Sequence, residues 1–139
     1  MKKYQLTSET ITVNGHTLYR IQALKDFEDI KAGDLGGFIE SENNLEQDSY
    51  FDSFDSTCWV YDNACVYDEA RVADDATVRD NAQVFGFTMV LSSAEVFGNA
   101  QVFDYARIEG NAKIGGTAII SGIAVVGGNS KILKGIRDK

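Results

Sequence analysis

β-Branched residues recur every six positions from Val60 to Ile132, through Val66, Val72, Val78, Val84, Val90, Val96, Val102, Ile108, Ile114, Ile120 and Val126. Two positions before nearly every one stands a small residue, from Cys58 and Ala64 to Ala124 and Ser130, with Thr88 the one larger member. A helix repeats its apolar face about every 3.6 residues and a half-buried strand about every two. A period of six held this long fits neither and predicts a solenoid. Within the repeat Ala64-Cys65-Val66-Tyr67-Asp68-Glu69, strand alternation turns Ala64 and Val66 inward and Cys65 and Tyr67 outward. The two positions left are turn formers across the array, as in Asp62-Asn63, Asp74-Asp75, Asp80-Asn81, Gly98-Asn99, Gly110-Asn111 and Gly128-Asn129. Such residues tolerate left-handed backbone and cap their own turn amides. Three bends close a triangular coil of about 18 residues, whose successive turns stack about 4.8 Å apart.

The N-terminal stretch has another rhythm. Thr10-Ile11-Thr12-Val13 and His16-Thr17-Leu18-Tyr19-Arg20-Ile21 alternate around Asn14-Gly15 and predict a β-hairpin. Residues 25–38, with Gly33, Gly36 and Gly37, predict a short helical turn and a glycine-bent loop covering the first coil, whose open backbone groups would otherwise pair with other chains. Ile39 and Leu45 keep the spacing of six, but Leu45 and Phe54 are nine apart, which predicts a three-residue bulge near Ser49 to Ser53 and a regular period from Phe54 onward. The run Lys131 to Lys139 finishes the last coil. The division is therefore a hairpin and capping segment over residues 1–38 and the coils over 39–139, an all-β chain.

The aliphatic, turn and small positions of residues 58–132 resemble those of the hexapeptide-repeat family. The resemblance implies a single-stranded left-handed parallel β-helix, an exception to the right-handed crossover rule. Asp34-Leu35-Gly36-Gly37-Phe38-Ile39-Glu40 is similar to an N-terminal cap of family members from phages and mobile elements. The family includes acyltransferases, carbonic anhydrases and proteins without chemistry, so the fold leaves the activity open. Its acyltransferases use a histidine base beside a loop that interrupts the coils and bind acyl-CoA between subunits; its carbonic anhydrases hold zinc with three histidines. This chain has one histidine, His16, in the hairpin and read as a solvated strand residue, and an uninterrupted array from Val60 to Ile132. No catalytic residue, metal ligand or cofactor is expected, and a degenerate acyltransferase is the enzymatic alternative.

Charge adds a second layer. The 21 acids against 13 bases give a net charge of -8, which argues against direct binding to nucleic acid or an anionic membrane. No apolar run is long enough to span a bilayer, and no signal-peptide pattern follows Met1-Lys2-Lys3. A cytoplasmic location is expected, in the host cell if the chain is phage-encoded. Cys58 faces inward and Cys65 outward on the next side, so no disulfide is expected. Residues 46–80 hold ten acids against Arg71 and Arg79, an excess of eight, whereas residues 81–139 carry six bases against four acids. The acidic turns Asp62, Asp68, Glu69, Asp74, Asp75 and Asp80 are the candidate partner-binding residues. Turn chemistry and solubility account for aspartate at such positions but not for this asymmetry. A calcium ladder is a weaker reading, because one column holds only short runs such as Asp62 and Asp80.

Stacking the register at 18 puts Tyr67, Phe85, Phe103 and Ser121 in one outward column and Glu69, Phe87, Tyr105 and Ile123 in the next. The five aromatics Tyr67, Phe85, Phe87, Phe103 and Tyr105 then share an edge that either stiffens the strands or joins copies of the chain as a dimer or trimer. Trp59, Tyr61 and Phe97 add aromatic surface on a neighbouring side. These features point to a non-enzymatic interaction module. In its concrete form it is an inhibitor of a host defence or nucleic-acid-binding protein, with the acidic stretch 46–80 occupying a basic DNA- or RNA-binding surface. DNA-mimicking pentapeptide-repeat proteins offer an analogy, and a structural or scaffold component of a phage or bacterial assembly is the alternative.

Overall fold

A computed structural model describes residues 2–47 and 56–139. Apart from one 3-10 turn, Glu42–Asn44, the regular structure is β. Two-residue strands follow one another every six residues, beginning with β4 (Trp59–Val60), β5 (Cys65–Val66) and β6 (Arg71–Val72). Each pairs in parallel with the strand 18 residues on: Val66 lies beside Val84, Val84 beside Val102 and Val102 beside Ile120. Three parallel sheets result, headed by β4, β5 and β6 and forming the three faces of a parallel β-solenoid. Backbone bonds run between coils, as where the Tyr61 amide donates to the Val78 carbonyl at 2.8 Å.

Burial follows the six-residue pattern. Each aliphatic residue from Val60 to Val126 is buried, as are the alanines two positions before. Removing one such Val or Ile from water contributes about 1.5–3 kcal/mol. Thr88, the exception in the small column, is wholly buried and its hydroxyl has no partner among the described residues. At each corner the second residue after the inward one is left-handed: Asp62, Asp68, Asp74, Asp80, Ser92 and Asp104 have φ between 56° and 61°, and glycine takes the place elsewhere.

The first coil departs from the expected register. Ile39 pairs with Val66 and Leu45 with Val72, 27 residues apart instead of 18, while Val60 pairs with Val78. Nine extra residues therefore separate Leu45 from Val60, and Leu45 fills the rung beside Val72. Phe54 and the bulge expected near Ser49 to Ser53 lie outside the described residues. Asn44 fixes this start: its buried side chain accepts from the amides of Glu40 and Ser41 and donates to the carbonyls of Asp68 and Ala70.

The hairpin forms as expected, from β1 (Tyr4–Val13) and β2 (His16–Ala23). It is joined to the coils: β2 pairs antiparallel with β3 (Leu35–Ile39), and β3 pairs parallel with β5, so one sheet runs from the hairpin into the solenoid. β3 thus crosses the expected division at residue 38. Gly36 and Gly37 belong to this strand and not to a bent loop. A Cβ on Gly37 would lie 2.6 Å from both the Ala64 carbonyl and a Val60 methyl, so glycine here permits close packing of strand on coil. In place of the helical turn, Phe27 and Ile30 close on each other through two backbone hydrogen bonds.

Tyr4, Ile21, Ala23 and Ile30 cover the end of the prism. Trp59, expected on the surface, is wholly buried edge-on to Phe27 and Tyr4, at ring distances of 5.3 and 6.2 Å. Tyr4 of the hairpin and Phe27 of the segment after it cover the position that alternation had turned outward. Lys3, also buried, donates from Nζ to the Cys58 carbonyl at 2.7 Å. Both cysteines are free and buried, and burial pushes the Cys65 thiol up to about 11. Among the described residues no helix is long and apolar enough to cross a membrane.

Candidate functional site

The six acids expected to form one docking surface divide between corners. Residues 62 and 80 follow strands of the β4 face and residues 74 and 75 precede one, so Asp62, Asp74, Asp75 and Asp80 flank that face from both sides. Asp68 and Glu69 sit on the third corner, between the β5 and β6 faces. Sequence spacing alone places acids on corners; the closing of the triangle decides which corners share a face.

Four of these acids have internal work. One carboxylate oxygen of each accepts the turn amide 18 residues ahead: Asp62 from Asp80 at 3.2 Å, Asp68 from Gly86 at 3.0 Å, Asp74 from Ser92 at 2.9 Å and Asp80 from Gly98 at 2.8 Å. Asp104 repeats the bond to Gly122. A left-handed aspartate therefore ties its turn to the next coil, which glycine cannot do. Asp62, Asp74 and Asp80 keep a second oxygen, while that of Asp68 meets His16. Asp62, Asp74, Asp75 and Asp80 have no ion-pair partner among the described residues, whereas Arg79, a cation on this face, is drawn to Glu95 at 2.6 Å and stacks on Phe97.

The same face carries a polar cleft lined by Glu28, Asp29, Thr57, Tyr61, Asp75 and Thr77, of about 320 Å³. Glu28 and Asp29 come from the segment before β3, packed against the coil by Phe27 and Ile30. Glu28 itself is left-handed, with φ of 48°. The Tyr61 hydroxyl donates to Asp29 at 2.9 Å, and burial followed by the Asp29 contact pushes its pKa well above the ordinary tyrosine value. Thr57 donates to Asp75. Three carboxylates beside an aromatic ring have the chemistry to accept a guanidinium or ammonium group. Glu28 and Asp29 were missed in the sequence because nothing in their spacing reports that their loop folds onto Thr57 and Tyr61.

The aromatic edge is also redistributed. Tyr67 stacks on Phe85 and Phe85 on Phe103, each pair 5.0 Å apart. Tyr67 is nevertheless only 1% exposed, because the hairpin lies over it with Leu18 and Phe38. It belongs to a second small core outside the prism and is not part of an open edge. Phe85 and Phe103 are half-buried. The open ridge is Phe87 and Tyr105, stacked at 5.1 Å and 55% and 63% exposed, continued by Ile123 and Val125.

His16 is no solvated strand residue. Its Nδ1 lies 2.9 Å from Glu40 and its Nε2 3.0 Å from Asp68, with the three side chains about one-third exposed. These residues form the metal-capable cluster of the described chain, with ligand atoms within 4.8 Å of one another. A metal, however, takes one ring nitrogen with its other ligands on the same side. Here the two nitrogens face different carboxylates, an arrangement that seats a proton. Neither nitrogen is left open to act as a base on an outside substrate. No family model matches the chain, and no curated protein matches it.

Proposed function

We propose that this chain is a non-enzymatic docking module whose acidic β4 face receives a basic protein surface, most simply the DNA- or RNA-contacting surface of a nucleic-acid-binding protein, and inhibits that protein by occupancy. The observation that carries the reading is the cleft in which Asp29 and Asp75 converge beside Tyr61, flanked by the unpaired carboxylates of Asp62 and Asp80. An Arg or Lys entering the cleft exchanges water for carboxylate oxygens already fixed by Tyr61 and Thr57, so little side-chain entropy is lost on the receiving side. The surrounding acids steer a cationic partner and set the orientation.

The test is capture from lysate of the source cells at two salt concentrations, with wild type and an Asp29→Asn/Asp75→Asn variant in parallel. Asparagine keeps the acceptors for Tyr61 and Thr57, so the fold is retained. The expected result is a basic protein held at low salt, displaced by duplex DNA and lost with the variant. Equal retention by both proteins, or retention indifferent to salt and DNA, rejects the proposal.

A second reading rests on the Phe87, Tyr105, Ile123 and Val125 ridge, whose exposure suits self-association into a dimer or a scaffold. Light scattering of a Phe87→Glu/Tyr105→Glu variant separates the two: loss of a wild-type oligomer supports the ridge, and a monomeric wild type rejects it.

A further inference from the structure

Besides the pairing of β2 with β3, the hairpin is held to the solenoid in two places. Near its base, Tyr4 and Ile21 are part of the main core, and the Gln47 side chain accepts from the Lys3 and Tyr4 amides at 2.8 and 3.1 Å. The register between β1 and β2 then breaks between Leu6 and Thr10. Beyond that break the tip, residues 10–17, rests on the small outer core through Ile11 and Val13, and Asn14 donates to the Tyr67 hydroxyl at 2.8 Å. Its one charged fastening is His16.

The receiving side is rigid. Glu40 uses its other oxygen to accept the Asp68 amide at 2.9 Å, and Asp68 uses its other oxygen for the Gly86 amide. Asn44 clips the backbones of both residues together. The two carboxylates thus form a fixed socket, and the ring enters it from the turn end of β2, beyond the last pairing of that strand with β3 at Tyr19.

We propose that His16 is a proton-operated latch: as imidazolium it bridges Glu40 and Asp68 and holds the hairpin tip over Tyr67, and on losing its proton it lets go of one carboxylate, so that the tip lifts away from Tyr67. An imidazolium donates from both nitrogens, whereas a neutral ring has one N–H and turns a lone pair toward the other carboxylate. Repulsion at about 3 Å then replaces a hydrogen bond. The charged groups facing the ring are Glu40 from the end of β3 and Asp68 from the turn after β5. Tyr67, its ring 5.2 Å away, is the titratable group from β5, and burial raises its pKa so that it stays neutral. The register partner of His16 within the hairpin is the apolar Val13.

The linkage has a definite sign. The hydrogen bond to Glu40, the largest influence, holds the imidazole above its ordinary 6.5; burial opposes it, and the charges of Glu40 and Asp68 add to it. The hold is therefore complete below pH 6.5 and is lost as pH rises through the raised midpoint. Glu40, kept below its ordinary 4.5 chiefly by the same bond, acts oppositely: its contribution is present above 4.5 and lost as pH falls through the depressed midpoint. The latch is firmest between these values and opens on the alkaline side, uncovering Tyr67 at the head of the stack with Phe85 and Phe103.

Because the chain has one histidine, proton NMR follows its ring without ambiguity. The experiment titrates that ring and, over the same pH range, measures hydrogen exchange at the tip amides, corrected for the intrinsic pH dependence of exchange. The expected ring midpoint lies above 6.5, with tip opening rising across it. By linkage, each unit of elevation equals about a tenfold difference in the opening constant between the two protonation states. Glu40→Gln lowers the midpoint, and His16→Gln removes the pH step while the solenoid melts as in wild type. A midpoint at or below 6.5, a wild-type tip with no pH step, or the same step in His16→Gln overturns the proposal.

Discussion

The first coil with its cap and the regular coils after Ala82 lie in the same sheets but are held together differently. In the regular coils a side chain's environment follows from its place in the six-residue repeat: inward aliphatic, inward alanine, outward strand residue or turn. Any one of these positions is supported mainly by its counterparts 18 residues away. In the first coil each contact is particular. Asn44, Trp59, Lys3, Gly36 and Gly37 each do something no repeat position does, and most of their partners lie 15 to 55 residues away in sequence. The difference teaches where this fold tolerates change: along the corners of the array, and hardly at all beneath the cap.

The hardest test of that contrast puts a charge in the array. Val84→Asp buries an unpaired carboxylate at a position with no accessible surface, and a loss of about 3–5 kcal/mol is expected. Thermal melting by circular dichroism measures it, and an unchanged melting temperature would show that the inward register is wrong. The next test turns to the cap. Gly37→Ala drives a methyl into the Ala64 carbonyl and Val60, and costs about 1–3 kcal/mol. Gly128→Asn, at an open corner with φ of 60°, stays within about 0.5 kcal/mol of wild type. If both glycines tolerate substitution equally, the cap is no more specific than the array.

A smaller effect is expected at the corners. Asp80→Ala removes the bond to Gly98 and leaves a Cβ in left-handed backbone without a compensating contact, for a loss of about 1–2 kcal/mol. Asp80→Asn retains the acceptor and melts close to wild type. Chemical denaturation of the pair separates the turn bond from net charge, since both variants remove one negative charge. The smallest effect has the opposite sign. Thr88→Ala restores the small-column pattern and removes an unpaired buried hydroxyl, with a gain of up to about 1 kcal/mol. Destabilisation by this change would mean that the Thr88 methyl packs more than its hydroxyl costs.

Much of the candidate site was legible from one residue to the next and little of it across the fold. The left-handed corners at Asp62, Asp68, Asp74 and Asp80 follow from residue type and period. Their division between faces does not, since it needs the triangle closed. The exposure of Phe87 and Tyr105 follows from their turn column, but the burial of Tyr67, one column away, depends on a hairpin some 50 residues earlier in the chain. Glu28 and Asp29 lie in a segment with no period at all, and only its packing against Tyr61 makes them part of a cleft.

By itself, then, the sequence determined the repeating rung, its inward and outward faces, the corner chemistry and the hairpin turn at Asn14-Gly15. These are local, because strand alternation and turn preference act between neighbours and an exact period repeats one decision along the chain. The tertiary structure alone decided that Leu45 supports Val72, that Trp59 is core, that Asp75 forms a cleft with Glu28 and Asp29, and that His16 sits between Glu40 and Asp68. Each of those is a contact between segments with no common period. Such contacts are chosen by which surfaces fit when the chain closes on itself, a competition that no window of the sequence contains.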